Sequence, residues 1–268
     1  MRVRPAEVTS VGILILLTIA AIAPGLIAPG DPLATSPSDA FATPSPSAWW
    51  GTDESGRDVF TRVVHGAAPS LLIGVTATAI GMTLALTLGL IAGLGGRAAD
   101  FIVTRITEIL FALPGLLAAL VFIAIVGPGV VTTTVAVGIS TAPGYARVIR
   151  SQVVKVRSSG YVEAAVLQGW GRGRILWHHI LPGALGPVFV LATLGVGQAI
   201  VWASSLSFLG LGAVPPAAEW GAMLSAGRTY LTSAWWMTVF PGLAIVAAAA
   251  ATTALGRSVQ SRQREDIS

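Results

Sequence analysis

The chain has 268 residues, of which 54% are hydrophobic and 10% are charged, and its formal net charge is +4. Soluble domains carry about 25% charged residues, so this composition indicates an integral membrane protein. The basic residues lie at the ends of apolar runs, which is typical of membrane topology and does not indicate a nucleic-acid partner. The absence of cysteine excludes disulfides, thiol catalysis and thiolate metal sites.

The first apolar run extends from Val8 to Ile27 and follows Arg2 and Arg4. Its length of about twenty residues is enough to span a bilayer. A signal peptide is the alternative, but residues 28–31 make a poor small-residue cleavage site. We therefore assign residues 1–28 to a cytoplasmic amino terminus and a first transmembrane helix.

Residues 29–69 are rich in Pro, Ser, Thr and Asp, which predicts an external loop segment. Within it, Ser55 followed by Asp58 can cap a helix. An amphipathic helix is expected there because an apolar stripe follows: Val59, Phe60, Val63 and Val64. The helix would lie on the membrane surface or on another span. Three carboxylates precede or open it and could hold a cation, although a capped helix start explains them equally well: Asp53, Glu54 and Asp58.

The second span is predicted from about Leu71 to Leu94. Its glycines are spaced so that they share one helix face, which lets a partner helix approach closely: Gly74, Gly81, Gly89 and Gly93. A short cytoplasmic turn with Arg97 follows.

The third span is predicted from about Phe101 to Val126, with a kink at Pro114–Gly115. Arg105 and Glu108 are three residues apart and can form an ion pair on one helix face. A charged pair inside a span is a candidate functional group, whereas a shallow pair can reach the interface, and both interpretations stay open.

After an external Gly-Pro-Gly turn, the fourth span runs from Val130 to about Tyr145, where Pro143–Gly144 can break its inner end. The fifth span runs from about Ala184 to Leu206, and the sixth from Trp235 to Leu255. Uncharged polar residues are densest in and just after the fifth span: Gln198, Ser204, Ser205 and Ser207. Such groups need partners in hydrocarbon, so they either bond another helix or line a pathway.

The region between the fourth and fifth spans, residues 146–183, is the most basic part of the chain. Its first half favours a helix, and three glycines then interrupt it: Gly169, Gly171 and Gly173. A second helical run from Ile175 to Leu181 is expected to stop at Pro182. We predict two short helices joined by a glycine bend.

Basic residues are retained on the cytoplasmic side during insertion, and thirteen of the sixteen lie in segments assigned to that side. Three lie outside: Arg57, Arg62 and Arg228. We expect an all-α polytopic membrane protein with six spans and both termini in the cytoplasm. Its parts are residues 1–28, the external loop 29–69, a five-helix core 70–256 and a tail 257–268.

Catalytic and metal-binding patterns are not found. Lys155 is the single lysine and has no glycine-rich loop, so we predict no P-loop and no ATP hydrolysis by this chain. The histidines His65, His178 and His179 lack a ligand spacing, so no metal site is predicted.

The basic region resembles the EAA loop of ABC importer permeases. The match consists of Glu163, Ala164, Ala165, Gly169, Leu181 and Pro182 in register. In that family the loop forms helices that dock on a cytoplasmic ATPase. The family pattern expects an aliphatic residue where this chain has His179.

Two further motifs are similar to those of the C-type permease of dipeptide, oligopeptide and nickel importers. One is GTD-x-x-GRD-x-x-x-R in residues 51–62, and the other is SLSFLGLG-x-x-PP-x-x-x-WG from Ser205 to Gly221. The resemblance implies the type I ABC importer permease fold in a bacterial plasma membrane and peptide import, with nickel chelates or haem as alternative cargo. It also implies these partners: a B-type permease, one or two ATPase subunits that use ATP and magnesium, an external substrate-binding protein and membrane lipid.

Other classes remain as alternatives. A secondary transporter requires ionisable groups near the middle of the bilayer, and none is predicted there. An intramembrane enzyme requires a nucleophile with a base, and the serines of the spans have neither His nor Asp beside them. A scaffold subunit without transport activity is the third alternative.

Overall fold

The helical order of the chain follows from its apolar runs and its Gly and Pro punctuation. A computed structural model describes residues 5–265, and within that range it shows helices and no β-strand. The helices are α1 (Pro5–Ile22), α2 (Val59–His65), α3 (Ala67–Leu94), α4 (Gly96–Phe111), α5 (Gly115–Val126), α6 (Val130–Arg157), α7 (Gly160–Leu167), α8 (Arg172–Ile175), α9 (Leu181–Phe208), α10 (Trp220–Gly227) and α11 (Trp236–Glu265).

The long helices α3 and α6 pack closely at the centre, and small residues make this possible. A Cβ atom at Gly89 would lie 2.7 Å from Cγ2 of Ile149, and one at Gly93 would lie 2.5 Å from Cγ1 of Val153. Gly81 approaches α6 in the same way, since a Cβ atom there would lie 2.8 Å from the carbonyl oxygen of Gly138. At the glycine nearest the start of α3, Gly74, the closely packed partner is α9 instead, since a Cβ atom there would lie 2.4 Å from Cγ1 of Ile200.

Three hydrophobic clusters run along this centre. One joins α1, α2, α10 and α11 at the predicted outer end around Trp220 and Trp236. A second joins α3, α6 and the start of α9 at the opposite end around Ile149 and Val153. A third fills the middle between α3, α5, α6 and α9.

Three helices of the described part are long and apolar enough to cross a membrane: Val59–Leu94, Gly186–Phe208 and Trp236–Ser261. The pair α4 and α5 adds a fourth if it is counted as one span. The apolar helix Glu7–Ile22 is shorter, and α6 is not among the helices that are apolar enough. Six spans and the cytoplasmic side of the termini stay predictions, and Arg2 and Arg4 lie outside the described residues.

The predicted kink of the third span is confirmed, and the chain turns there so sharply that two separate helices result. The axes of α4 and α5 differ by 88°. Pro114 has extended backbone angles (φ −52°, ψ 131°) and precedes the first residue of α5. Proline lacks the N–H that would continue the α4 hydrogen bonds, so the chain turns there.

Two predicted breaks are wrong. Pro143 lies inside α6, which continues to Arg157, and Pro182 lies in the first turn of α9. A membrane helix tolerates an internal proline where neighbours satisfy the freed carbonyl. A π-helical turn, Leu176–Ile180, connects α8 to α9, so the helical run from Arg172 to Phe208 does not stop.

The predicted cap of the external helix is also wrong by three residues. Asp58, not Ser55, is the N-cap of α2, and its carboxylate accepts a hydrogen bond from the backbone N–H of Thr61 (2.9 Å). Ser55 belongs to a preceding turn, where the carboxylate of Asp53 accepts from the N–H groups of Ser55 and Arg57. The helix itself is buried rather than laid on the membrane surface: Val59, Thr61, Arg62, Val63 and Val64 are buried.

Candidate functional site

The segment between α6 and α9, residues 158–180, forms a bent helical unit at the predicted cytoplasmic end. We call it the coupling segment. Gly169 ends α7 with φ +79°, a left-handed conformation that glycine adopts without steric cost. The N–H of Gly169 donates to the carbonyl of Val166 (2.9 Å) and that of Trp170 to the carbonyl of Ala165 (3.1 Å). These two bonds form the Schellman motif that terminates a helix. The bend therefore requires a glycine at this position.

Aromatic contacts hold the bend closed. The Trp170 ring stacks on His179, with ring centroids 5.2 Å apart and an interplanar angle of 23°. On the same ring, the guanidinium carbon of Arg174 lies 4.0 Å from the ring centroid. Tyr161 meets His179 edge to face at 5.7 Å. His179, which departs from the family pattern, lies in the π-helical turn and therefore contacts both the start of α7 and the bend.

The residues predicted for ATPase coupling are split between two faces of this unit. Ala165 is buried in the inner cluster beside Val162, Ile175 and Ile180, which anchors α7. Glu163, Ala164, Gly169 and Pro182 are exposed, and Leu181 is half-buried. The structure thus places the exposed members along one end of the molecule, with Leu181 and Pro182 opening α9.

Sequence reasoning missed large apolar side chains on the exposed face of the coupling segment. Leu167 is 83% exposed and Trp177 70% exposed, and Val166 is also open. Helical spacing from the buried Val162 and Ala165 was the available signal, since it leaves the last turn of α7 facing outward. Exposed apolar side chains beside arginines are typical of a protein interface.

The four polar residues predicted as candidates for a pathway have different surroundings. Gln198 is exposed in this chain and accepts a hydrogen bond from the Tyr145 hydroxyl at 3.3 Å. Ser205 is half-buried and donates to the carbonyl of Val201 in its own helix. Ser204 and Ser207 are buried against α10.

Glu219 connects the ends of three helices at the predicted outer end, and the sequence analysis did not single out this role. Its carboxylate accepts hydrogen bonds from the hydroxyls of Ser70 in α3 (3.3 Å) and Ser207 in α9 (2.5 Å). The backbone N–H groups of Gly221 and Ala222 also donate to it, so it is the N-cap of α10. The side chain is buried and accepts four hydrogen bonds, which compensate the cost of burying a charge.

The GTD-x-x-GRD-x-x-x-R motif forms a buried ion-pair cluster, which we call the outer clasp (Asp53, Glu54, Arg57 and Arg62). Arg57 pairs with both carboxylates at 2.6 Å. Arg62 lies 3.4 Å from Asp53 and also donates to the carbonyls of Pro32 (3.0 Å) and Pro216 (3.2 Å). Asp53 and Glu54 are thus paired with arginines, so two of the three carboxylates considered for a cation site are explained by ion pairs.

Ion pairs also cluster at the opposite end. Asp100 of α4 accepts two hydrogen bonds from Arg150 of α6, one of them from Nη2 at 2.7 Å. These bonds raise the pKa of Arg150, which lies beyond the predicted fourth span. The predicted pair of Arg105 and Glu108 is confirmed at 3.0 Å, and both side chains are largely exposed.

Comparison with known proteins identifies the family. Residues 85–265 match the family described as the binding-protein-dependent transport system inner membrane component. The chain belongs to this family. The permease is therefore a multi-pass protein of the bacterial inner membrane, in a family of membrane subunits of ABC importers that are not themselves enzymes.

Two similar proteins extend the match. The dipeptide transport system permease protein DppC of Alkalihalophilus pseudofirmus is 44% identical over 239 residues, which cover 88% of this permease and 78% of that protein. The probable D,D-dipeptide transport system permease protein DdpC of Escherichia coli is 38% identical over 256 residues, which cover 96% and 86%.

Solved structures support the type I importer permease fold. An amino acid ABC transporter matches with a TM-score of 0.60 and 14% identity, covering 76% of this permease and 94% of that chain. The inward-facing MetNI methionine ABC transporter matches with a TM-score of 0.57 and 19% identity, covering 75% and 97%. Family membership implies assembly with another permease, an ATPase and a binding protein.

Proposed function

We propose that this permease is the C-type subunit of a peptide importer and forms half of its translocation pathway. Both similar proteins described above are named for dipeptides, which favours peptide cargo over a nickel chelate or haem. The GTD-x-x-GRD-x-x-x-R motif in residues 51–62 supports the C-type assignment. The partners would be a B-type permease, one or two ATPase subunits and an external substrate-binding protein. ATP and magnesium would bind in the ATPases.

The observation that carries this proposal is the continuity of the coupling segment with α9. α8, the π-helical turn and α9 form one uninterrupted helical run from Arg172 to Phe208. The exposed Leu167 and Trp177 lie on the bent unit at its inner end. A partner that moves this unit would therefore move α9 without an intervening flexible loop. ATP can bias the permease because the docked ATPase would contact the two conformations differently.

The pathway is assigned to the side of α9 that carries Gln198. Its side chain is exposed and bonded to Tyr145 of α6, so the two helices present a polar pair on an open face. Polar groups that face a bilayer need partners or water. A water-filled path shared with the B-type subunit would supply that water. Ser204 and Ser207 are assigned to packing, because they are buried against α10.

Replacement of Gly169 by aspartate tests the docking role. Gly169→Asp puts a side chain on a residue at φ +79° and a carboxylate beside the bend, so it should lower peptide uptake at least tenfold while insertion and subunit levels stay normal. ATP hydrolysis should no longer respond to peptide-loaded binding protein. Gly171→Asp is the matched control: it adds the same charge at a residue with φ −67°, where no backbone strain arises.

The measurements are uptake of a labelled dipeptide into proteoliposomes and ATPase activity of the purified complex. Loss of coupling in Gly169→Asp with milder loss in Gly171→Asp supports docking through the bend. Normal uptake in Gly169→Asp would contradict it. A complex of the parent protein whose ATPase activity ignores peptide-loaded binding protein would point to a scaffold subunit instead.

A further inference from the structure

Helix α4 has three distinct faces, and one of them has no protein partner within the described chain. Val103 and Thr107 are buried toward α3 and α6. A polar face follows the spacing of Arg97, Asp100, Thr104 and Glu108. The remaining face is apolar and exposed, and consists of Ile102, Ile106 and Ile109. A helix with an exposed apolar face beside a charged polar face is typical of a helix that lies in a membrane interface.

The orientation of α4 agrees with this pattern. α5 is a wholly apolar helix of twelve residues, which suits the hydrocarbon region, and α4 leaves it at 88°. A helix perpendicular to one that runs along the membrane normal lies near the membrane plane. Arg97, Arg150 and Arg157 mark the level of this plane as the cytoplasmic interface, since basic residues concentrate there.

A cleft of about 360 Å³ lies between the polar face of α4 and the inner half of α6. Its charged lining consists of Arg97, Asp100, Arg105, Glu108 and Arg150. Asp100 is paired with Arg150, and Glu108 with Arg105. Arg97 is exposed and makes no ion pair among residues 5–265, which leaves the lining with an excess positive charge.

The cleft also has unused hydrogen-bond donors. A guanidinium carries five N–H donors, and Arg150 offers only Nε and Nη2 to Asp100, while Arg105 offers Nη1 to Glu108. The remaining donors and Arg97 suit an anion with several oxygen atoms, such as a phosphate group. The isoleucine face begins beside the cleft and would accept hydrocarbon chains.

We propose that this cleft binds the headgroup of an anionic phospholipid of the inner leaflet, with its acyl chains along the isoleucine face of α4. The lipid would hold α4 in the interface and so brace the bend between α4 and α5. This site is separate from the coupling segment and does not depend on the identity of the cargo.

The test uses the intact importer with its partner subunits, and the probe is phosphatidylglycerol. Native mass spectrometry would compare phosphatidylglycerol with phosphatidylcholine binding for the parent and for Arg97→Gln. One arginine near an anionic lipid surface contributes about 1 kcal/mol, so Arg97→Gln should weaken phosphatidylglycerol binding about fivefold. The double variant Arg97→Gln/Arg105→Gln should abolish the preference, because it also leaves Glu108 unpaired in the cleft.

Lys155→Gln is the matched control, since it removes one exposed positive charge from α6 outside the cleft and should leave the preference unchanged. Arg97→Gln should fold, because that side chain makes no ion pair with any other described residue. Unchanged phosphatidylglycerol binding in Arg97→Gln would overturn the proposal. So would displacement of the lipid by inorganic phosphate, which indicates a soluble anion, or efficient cross-linking of Ile102→Cys to the partner permease, which indicates a protein interface.

Discussion

The Trp170 ring contacts both Arg174, whose guanidinium carbon lies 4.0 Å from the ring centroid, and His179, which stacks on it at 5.2 Å. The family pattern expects an aliphatic residue at the histidine position, and the structure gives a reason for the difference. A planar imidazole can stack on the indole, whereas a leucine cannot. The histidine therefore contributes to the closed shape of the bend in this chain.

We predict that His179→Leu loosens the bend although it restores the aliphatic residue of the family pattern. Aromatic pairs contribute about 0.5–1.5 kcal/mol beyond their buried area, so amide exchange in residues 169–176 should become roughly two- to tenfold faster. His179→Phe keeps a stacking ring and should retain the parent rate. Hydrogen exchange with mass spectrometry measures both variants in the purified complex, and equal rates in His179→Leu and parent would show that the stack does not hold the bend.

Ser205 and Ser207 have the same side chain, lie two residues apart in the last turn of α9 and serve as a matched pair. Ser207 donates to the buried carboxylate of Glu219, whereas Ser205 donates to the carbonyl of Val201 in its own helix. Ser207→Ala should lower the free energy of unfolding of the complex by about 1–3 kcal/mol, because it removes a donor from a buried charged acceptor, and it should leave the cargo preference unchanged. Ser205→Ala should change stability by less than about 0.5 kcal/mol.

Thermal unfolding and competition between labelled peptides separate the two roles. A change of peptide preference in Ser207→Ala with normal stability would return this serine to the pathway. Gln198→Ala is the comparison for a pathway residue: it should alter uptake kinetics with little loss of stability, since its side chain is exposed and its one bond to Tyr145 is long.

Local sequence rules predicted much of the fold, and they failed where the neighbouring structure decides. Pro114–Gly115 predicted the break between α4 and α5, and Gly169 predicted the bend after α7, because the missing N–H of proline and the left-handed conformation of glycine are properties of the local backbone. Pro182 predicted a helix stop that is absent. The local rule describes an isolated helix, whereas a π-helical turn here carries the chain through the proline.

The sites divide in the same way. Arg105 and Glu108 are three residues apart, so their ion pair could be predicted from spacing. Glu219 lies 149 residues from Ser70, to which it is bonded, and no local pattern connects them. Likewise, the outer motif was recognisable as a motif, but its contact with the carbonyl of Pro216, 154 residues from Arg62, is a property of the folded chain.

Close packing of α3 on α6 leads to another prediction. Gly89→Ala places a Cβ atom within 3 Å of Ile149 and should lower the free energy of unfolding by about 1–3 kcal/mol, the usual cost of overpacking. Gly12→Ala in α1 is the control, because nothing lies within 4 Å of its added Cβ and alanine favours a helix. Thermal unfolding in detergent checks both. Equal melting temperatures for the two variants would show that α3 and α6 can separate without cost.

The outer clasp leads to a further prediction, since Arg62 joins three segments that are far apart in the sequence. It contacts Asp53, the carbonyl of Pro32 and the loop at Pro216, and its side chain is buried. Arg62→Met should lower the free energy of unfolding by about 3–5 kcal/mol, because removal of one partner leaves buried charge and carbonyl groups unsatisfied. Arg62→Lys keeps the charge but lacks the planar guanidinium group with its several donors, so the free energy of unfolding should fall by only part of that amount.

Arg228→Met is the control for this prediction, because it removes another arginine from the same predicted external side. Arg228 is exposed and lies 5.6 Å from the Phe208 ring centroid, a contact worth at most about 1 kcal/mol at an exposed site. The measurements are thermal unfolding and limited proteolysis of the loop 209–219. If Arg62→Met unfolds at the temperature of Arg228→Met and its loop is cut no faster, the clasp does not hold the outer loop. Faster cleavage of Arg62→Met alone ties the motif to the shape of the outer mouth.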